Sequence, residues 1–194
     1  MGPCKLAITK PGDECWASLE APLGTHKDVI FYKGQFYALT AAGVLRICDV
    51  NSDHPNMLRD FASPPDDVEG WDTFYLMEMS GELHMVVRIL EYDLNKHAPT
   101  HHIETAAFEV YKLDFSTRRW EELSSLGDYA LFVGNNTSFA VSASKYSQLK
   151  GNSIYFTDDD TDVNDEVCDP DIGIFNFEET VEPICKGREM YSFF

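Results

Sequence analysis

The chain has 194 residues, 44% hydrophobic and 13% aromatic, which supplies a core for one globular domain and excludes a disordered acidic tail. Its 33 Asp+Glu outweigh 15 Lys+Arg to give a formal charge of −18, so a phosphate backbone meets repulsion and no nucleic-acid partner is expected. No run approaches the roughly 20 apolar residues of a membrane span, and Met1-Gly2-Pro3-Cys4-Lys5 opens no secretory signal, so no membrane partner and a cytoplasmic or nuclear location are expected.

The first element is half a unit: strand Leu6 to Thr9, turn Lys10-Pro11-Gly12-Asp13, and strand Cys15 to Leu19 with Trp16 just after the turn. Next, Val29 to Tyr32 and Gln35 to Leu39 flank Lys33-Gly34, a loop length that predicts a tight hairpin with glycine at positive φ. A further strand spans Val44 to Asp49, and Asn56 to Ala62 is read as one or two helical turns. The pattern repeats around Ser80-Gly81, then after the insertion Glu91 to Thr105 with Phe108 to Asp114 and a closing strand Arg119 to Leu123.

In the third copy Ile154 to Phe156 follows Lys150-Gly151, and its preceding strand is placed at Phe139 to Ser142, with a tight turn over Ser147 to Leu149. The strands Ile172 to Phe177 and Thr180 to Ile184 close it. The unit is therefore hairpin, variable connection, hairpin. Phe108 to Leu113 is apolar almost throughout, as in strands covered on both faces. The resulting expectation is an all-β, β-propeller-like stack of about three four-stranded blades plus a partial N-terminal blade, an incomplete propeller; a β-sandwich is the rival. The half-blade spans about 5–20 and the repeats about 28–62, 73–124 and 128–184, in one domain over 1–194. Closed propellers have 4–8 blades, so the chain is read first as a truncated form of a longer protein, and otherwise as an oligomer or a partial ring with rebuilt ends.

Pro11-Gly12-Asp13 with Trp16, Phe31 to Leu39, Phe108 to Asp114, Leu126-Gly127-Asp128 with Leu131-Phe132, and Gly151 to Asp158 occur in an order that resembles the plant KIB-type β-propeller domain, an F-box-associated family. The resemblance runs from about Leu6 to Pro183. It implies a non-enzymatic protein-binding platform, commonly downstream of an F-box that docks to a cullin-based ubiquitin ligase. No F-box helices precede these motifs, so an adaptor of the ligase is a partner only if an F-box is supplied elsewhere. The family brings no catalytic motif to transfer.

The residues themselves offer few chemical sites. The acidic stretch Asp158, Asp159, Asp160, Asp162 to Glu166 fails the calcium-loop register, with Val163 where glycine is needed and Asp169 where glutamate is. It is read as a solvated loop that can meet a basic partner. His97, His101 and His102 sit in a polar insertion, and His84 lies within a strand as a packing residue. Asn135-Asn136-Thr137 and Asn136-Thr137-Ser138 match the glycosylation pattern but carry no weight without a secretory route. Cys4, Cys15, Cys48, Cys168 and Cys185 form no Cys-x-x-Cys pair and read as reduced thiols. Trp16, Trp120, Phe36 and Tyr37 are assigned to blade packing, and Trp71 beside an acidic loop to a binding surface. No serine elbow or phosphate-cradling glycine loop occurs. No enzyme activity, cofactor or metal is expected; the expected partner is a protein with a basic patch, met through Trp71, Asp158, Asp159, Asp160 and Asp162. The alternative function is a sugar- or small-molecule-binding or hydrolytic propeller, or a truncated chain with no independent function.

Overall fold

The computed structural model describes residues 6–19, 24–48, 57–66, 68, 72–92, 103–158, 171–177 and 179–183. A two-stranded ribbon, β1 (Ala7–Ile8) with β2 (Ala17–Ser18), precedes three sheets. The first is an antiparallel meander of β3 (His26–Tyr32), β4 (Gln35–Thr40), β5 (Leu45–Cys48) and β6 (Leu58–Ala62). The second repeats it with β7 (Thr73–Met79), β8 (Glu82–Tyr92), β9 (Ile103–Asp114) and β10 (Arg119–Glu122). The third holds β11 (Tyr129–Val133), β12 (Phe139–Ser142), β13 (Ser153–Phe156), β14 (Gly173–Asn176) and β15 (Glu179–Pro183), in the order β12-β11-β13-β14-β15. These stacked four- and five-stranded sheets give a β-propeller-like domain, with no closed sheet among the described residues.

Two hairpins form where the sequence places them, for a local reason. Lys33 and Gly34 take φ 45° and 83°, and Ser80 and Gly81 take 55° and 78°. Both central residues at positive φ make the two-residue turn whose twist matches that of the flanking strands. Register follows, with Tyr32 opposite Gln35 and Met79 opposite Glu82.

Strand alternation then divides the middle sheet between two cores. Phe74, Leu76, Leu83 and Met85 pack against Tyr32, Tyr37 and Leu39 of the first sheet. Their chain neighbours Tyr75, Met77 and Val86, with Phe108 and Val110, pack against Leu131, Ile154 and Phe156 of the third. The ribbon residues Leu6, Ile8 and Leu19 lie on the far face of the first sheet, over Ala38, Cys48 and Leu58.

Three expectations are corrected. Leu58–Ala62 is the outer strand of the first sheet, paired with β5, and no helix; Leu58 and Ala62 are buried there. The apolar residues Leu58, Phe61 and Ala62 carry a helical spacing, but long-range pairing decides the conformation. Phe139–Ser142 is not the hairpin partner of β13. It pairs with β11, and β13 joins β11 from the other side in parallel, which makes this sheet five-stranded. Trp16 is 69% exposed and packs into no blade. Trp120 does pack against the core, as do Phe36 and Tyr37, and the turn over Ser147 to Leu149 closes with Leu149 N–H donating to Tyr146 O at 3.1 Å.

Candidate functional site at the inner strand edges

Strands β3, β7 and β12 are the edge strands of their sheets, and each packs beside β7 or, for β7, between the other two. Edge strands carry unpaired backbone groups that a protein must satisfy or cover. Asp28 on β3 does this for its neighbour: Leu76 N–H on β7 donates to Asp28 Oδ2 at 2.7 Å, and Val29 N–H donates to Oδ1 at 2.7 Å. Tyr32 adds a second clasp, its hydroxyl donating to Gly81 O at 2.7 Å.

A cavity of about 320 Å³ opens at this junction, bounded by Asp28, Val29, Ile30 and Leu76 and by residues 135–138 of the β11–β12 connection. Its wall is mostly polar. Ser138 is only 6% exposed, and its Oγ has no hydrogen-bond partner among the described residues. Burial pushes the Asp28 carboxyl above the ordinary 3.8, against the two backbone hydrogen bonds that pull it down.

That shift has a sign. A carboxyl with a raised folded-state pKa binds its proton more tightly when folded, so its contribution is fully present below about pH 3.8 and is lost as pH rises through the folded-state value. The stability of the wild type relative to Asp28→Asn is therefore expected to fall as pH rises above about 3.8 in paired urea titrations. A difference that is flat or that grows with pH would contradict it.

The residues singled out from the sequence fare unevenly. Trp71, Asp159, Asp160 and Asp162 lie outside the described residues, as do His97, His101 and His102. Asp158 is half-buried, and Asp171 N–H donates to its Oδ2 at 3.3 Å. His84 is buried, its Nδ1 is 3.1 Å from Glu82 O, and burial holds its pKa below the ordinary 6.5. It is a packing histidine. Among the described residues no group of three His, Cys, Asp or Glu is placed to hold a metal ion, and no helix is long and apolar enough to cross a membrane.

Sequence reasoning missed Arg88, which sits within the apolar strand Met85 to Leu90 and is 2% exposed. Its Nε donates to Thr105 Oγ1 at 2.7 Å, Nη1 to Thr157 O at 2.9 Å, and Nη2 to Asp171 Oδ2 at 2.8 Å. The guanidinium also lies 4.9 Å from the Phe156 ring centre. Thr105 N–H and Oγ1–H donate to the same Asp171 oxygen, at 2.9 and 2.6 Å. One arginine thus joins the second and third sheets, and the signal that reveals it is a lone cation inside an apolar run.

Comparison with known proteins agrees with this architecture. The family described as KIB1-4 beta-propeller matches residues 2–176. An F-box protein of Arabidopsis thaliana is 33% identical over 159 residues, covering 79% of this chain and 46% of the relative. A putative F-box protein of the same plant is 31% identical, covering 77% of this chain and 40% of the relative. The Arabidopsis F-box protein SKIP23 is 27% identical, covering 89% of this chain and 45% of its own length. The chain thus spans less than half the length of these relatives. No solved structure matches. With the family match extending over nearly the whole length and the stacked meanders to accompany it, this chain belongs to the KIB1-4 β-propeller family.

Proposed function

We propose that the chain is a non-enzymatic protein-interaction module, the target-recognition part of an F-box type ubiquitin-ligase substrate receptor. The observation that carries this reading is the family match over residues 2–176 together with relatives that are F-box proteins. Sheets stacked through two apolar cores give a rigid scaffold, and recognition sits on the loops such a scaffold holds. The partner carries a basic patch, which the −18 charge attracts, and Trp71, Asp158, Asp159, Asp160 and Asp162 contribute to the contact.

Surface electrostatics of this kind weakens with ionic strength. Proteins retained from a plant extract by the wild type at about 50 mM salt are expected to be lost at about 300 mM. They are also expected to be lost from a variant with Asp158, Asp159, Asp160 and Asp162 all changed to Asn. Retention indifferent to both changes would refute the basic partner, and a reproducible absence of any retained protein would refute the module.

A further inference from the structure

We propose that the cavity between β3, β7 and the β11–β12 connection is a binding site for a single cationic group, a primary ammonium or guanidinium, held by Asp28 with Ser138 as a neutral acceptor. The first support is the state of the carboxylate. Asp28 forms no ion pair with any described Lys, Arg or His, and each of its oxygens accepts one backbone N–H. A carboxylate oxygen accepts two hydrogen bonds, so one acceptor site on each oxygen remains for a ligand. The negative charge that burial disfavours here is compensated when a cation enters.

The second support is independent of charge. Ser138 is buried at 6% exposure with an Oγ that has no partner among the described residues, where buried hydroxyls are ordinarily paired. Rotation about its Cα–Cβ bond lets it accept from a donor placed in the cavity. An ammonium carries three donors and no acceptor, so it needs one carboxylate and neutral oxygens beside it, and Thr137 supplies another hydroxyl in the same wall. The volume, about 320 Å³, sets the size. It lies at the lower end of the roughly 300–1,000 Å³ of small-ligand pockets, room for one side chain or small amine and not for a folded segment. The acidic charge of the whole chain raises the local concentration of cations at such a cleft.

This deepens the interaction reading, on which it rests only for the natural ligand, a basic side chain of the partner. The experiment needs no partner: butylammonium chloride, a mimic of the lysine side chain, is titrated into the full chain while the amide resonances of Val29 and Leu76 are followed by NMR. A saturable shift of both is expected, absent with sodium butyrate and with butanol at matched ionic strength. Asp28→Asn is expected to weaken binding about tenfold or more. Ser138→Ala is expected to weaken it about threefold while the melting temperature stays level or rises, because the removed hydroxyl bonds to none of the described residues. Shifts that are linear, that appear equally with butyrate, or that survive both substitutions would overturn the site. A capped lysine tripeptide that binds as well as butylammonium supports a protein side chain as the natural ligand, whereas tighter binding of 1,5-diaminopentane with none of the peptide supports a free amine. Failure here leaves the interaction module standing, and failure to find a partner leaves the cation site standing.

Discussion

Arg88→Met is expected to destabilise the chain by about 3–5 kcal/mol, the loss seen when one partner of a buried ion pair is removed. The methionine fills part of the volume, so the loss reports the polar network and not a cavity. Thr157 O loses a donor, Thr105 Oγ1 loses the Nε bond, and Asp171 Oδ2 is left with the two Thr105 donors alone. The Asp171 side chain is 23% exposed, so water reaches it and the effect belongs at the lower end of that range. Urea unfolding followed by circular dichroism measures it. Arg88→Lys should recover only part of the loss, since one ammonium cannot span Thr105, Thr157 and Asp171 together. A change under about 1 kcal/mol for Arg88→Met would show that the network sets geometry without stabilising the fold.

Phe108→Ala is expected to cost a comparable amount, about 3–5 kcal/mol, by a different route. Phe108 is 4% exposed, with ring centres of Phe156 and Phe175 at 5.2 and 5.5 Å. Truncation removes apolar contacts from both and leaves a void between close-packed sheets. The contrasting variant is Phe139→Ala. Phe139 stacks on Phe132 at 5.0 Å but is 49% exposed, so its loss should stay below about 1 kcal/mol. Equal effects at the two positions would mean that the sheet interfaces contribute no more than the exposed face. Against a typical stability of about 5–15 kcal/mol, either of the large losses brings a chain of this size near its unfolding threshold.

The parts of the fold that were legible in the sequence are those fixed locally. Lys33-Gly34 and Ser80-Gly81 dictate their turns because few residue pairs accept two consecutive positive φ values. The doubly covered strand at Phe108 to Leu113 announces itself by buried apolar residues on both faces, Phe108 and Val110 on one and Tyr111 and Leu113 on the other, with Glu109 and Lys112 as its charged residues. What failed depended on distant partners. Nothing near Phe139 states that β13, beyond a 3-10 turn at Ala143–Lys145, will bypass it and join β11 in parallel. Trp16 follows a turn as Trp120 does, yet Trp120 lies opposite Leu113 beside a packed sheet while Trp16 borders a two-residue strand. The cavity was illegible for the same reason, since Asp28, Leu76 and Ser138 come from three strands or connections far apart in the chain. In the sequence residues 135–138 form only a glycosylation pattern, which has no bearing on where their side chains meet.

The Arg88 network also fixes the bases of two connections at once. Tyr92 stands opposite Ile103, which closes the base of the connection between β8 and β9, and the Asp171 N–H bond to Asp158 does the same for the connection between β13 and β14. Both bases converge on the contacts of Arg88 with Thr105, Thr157 and Asp171. A loop whose ends are already clamped grows cheaply, at about 0.6 kcal/mol for each doubling of its length. Insertions between these clamps leave sheet register untouched, so the two connections are the places where relatives sharing this framework can diverge in length and sequence while their folding free energy stays nearly constant.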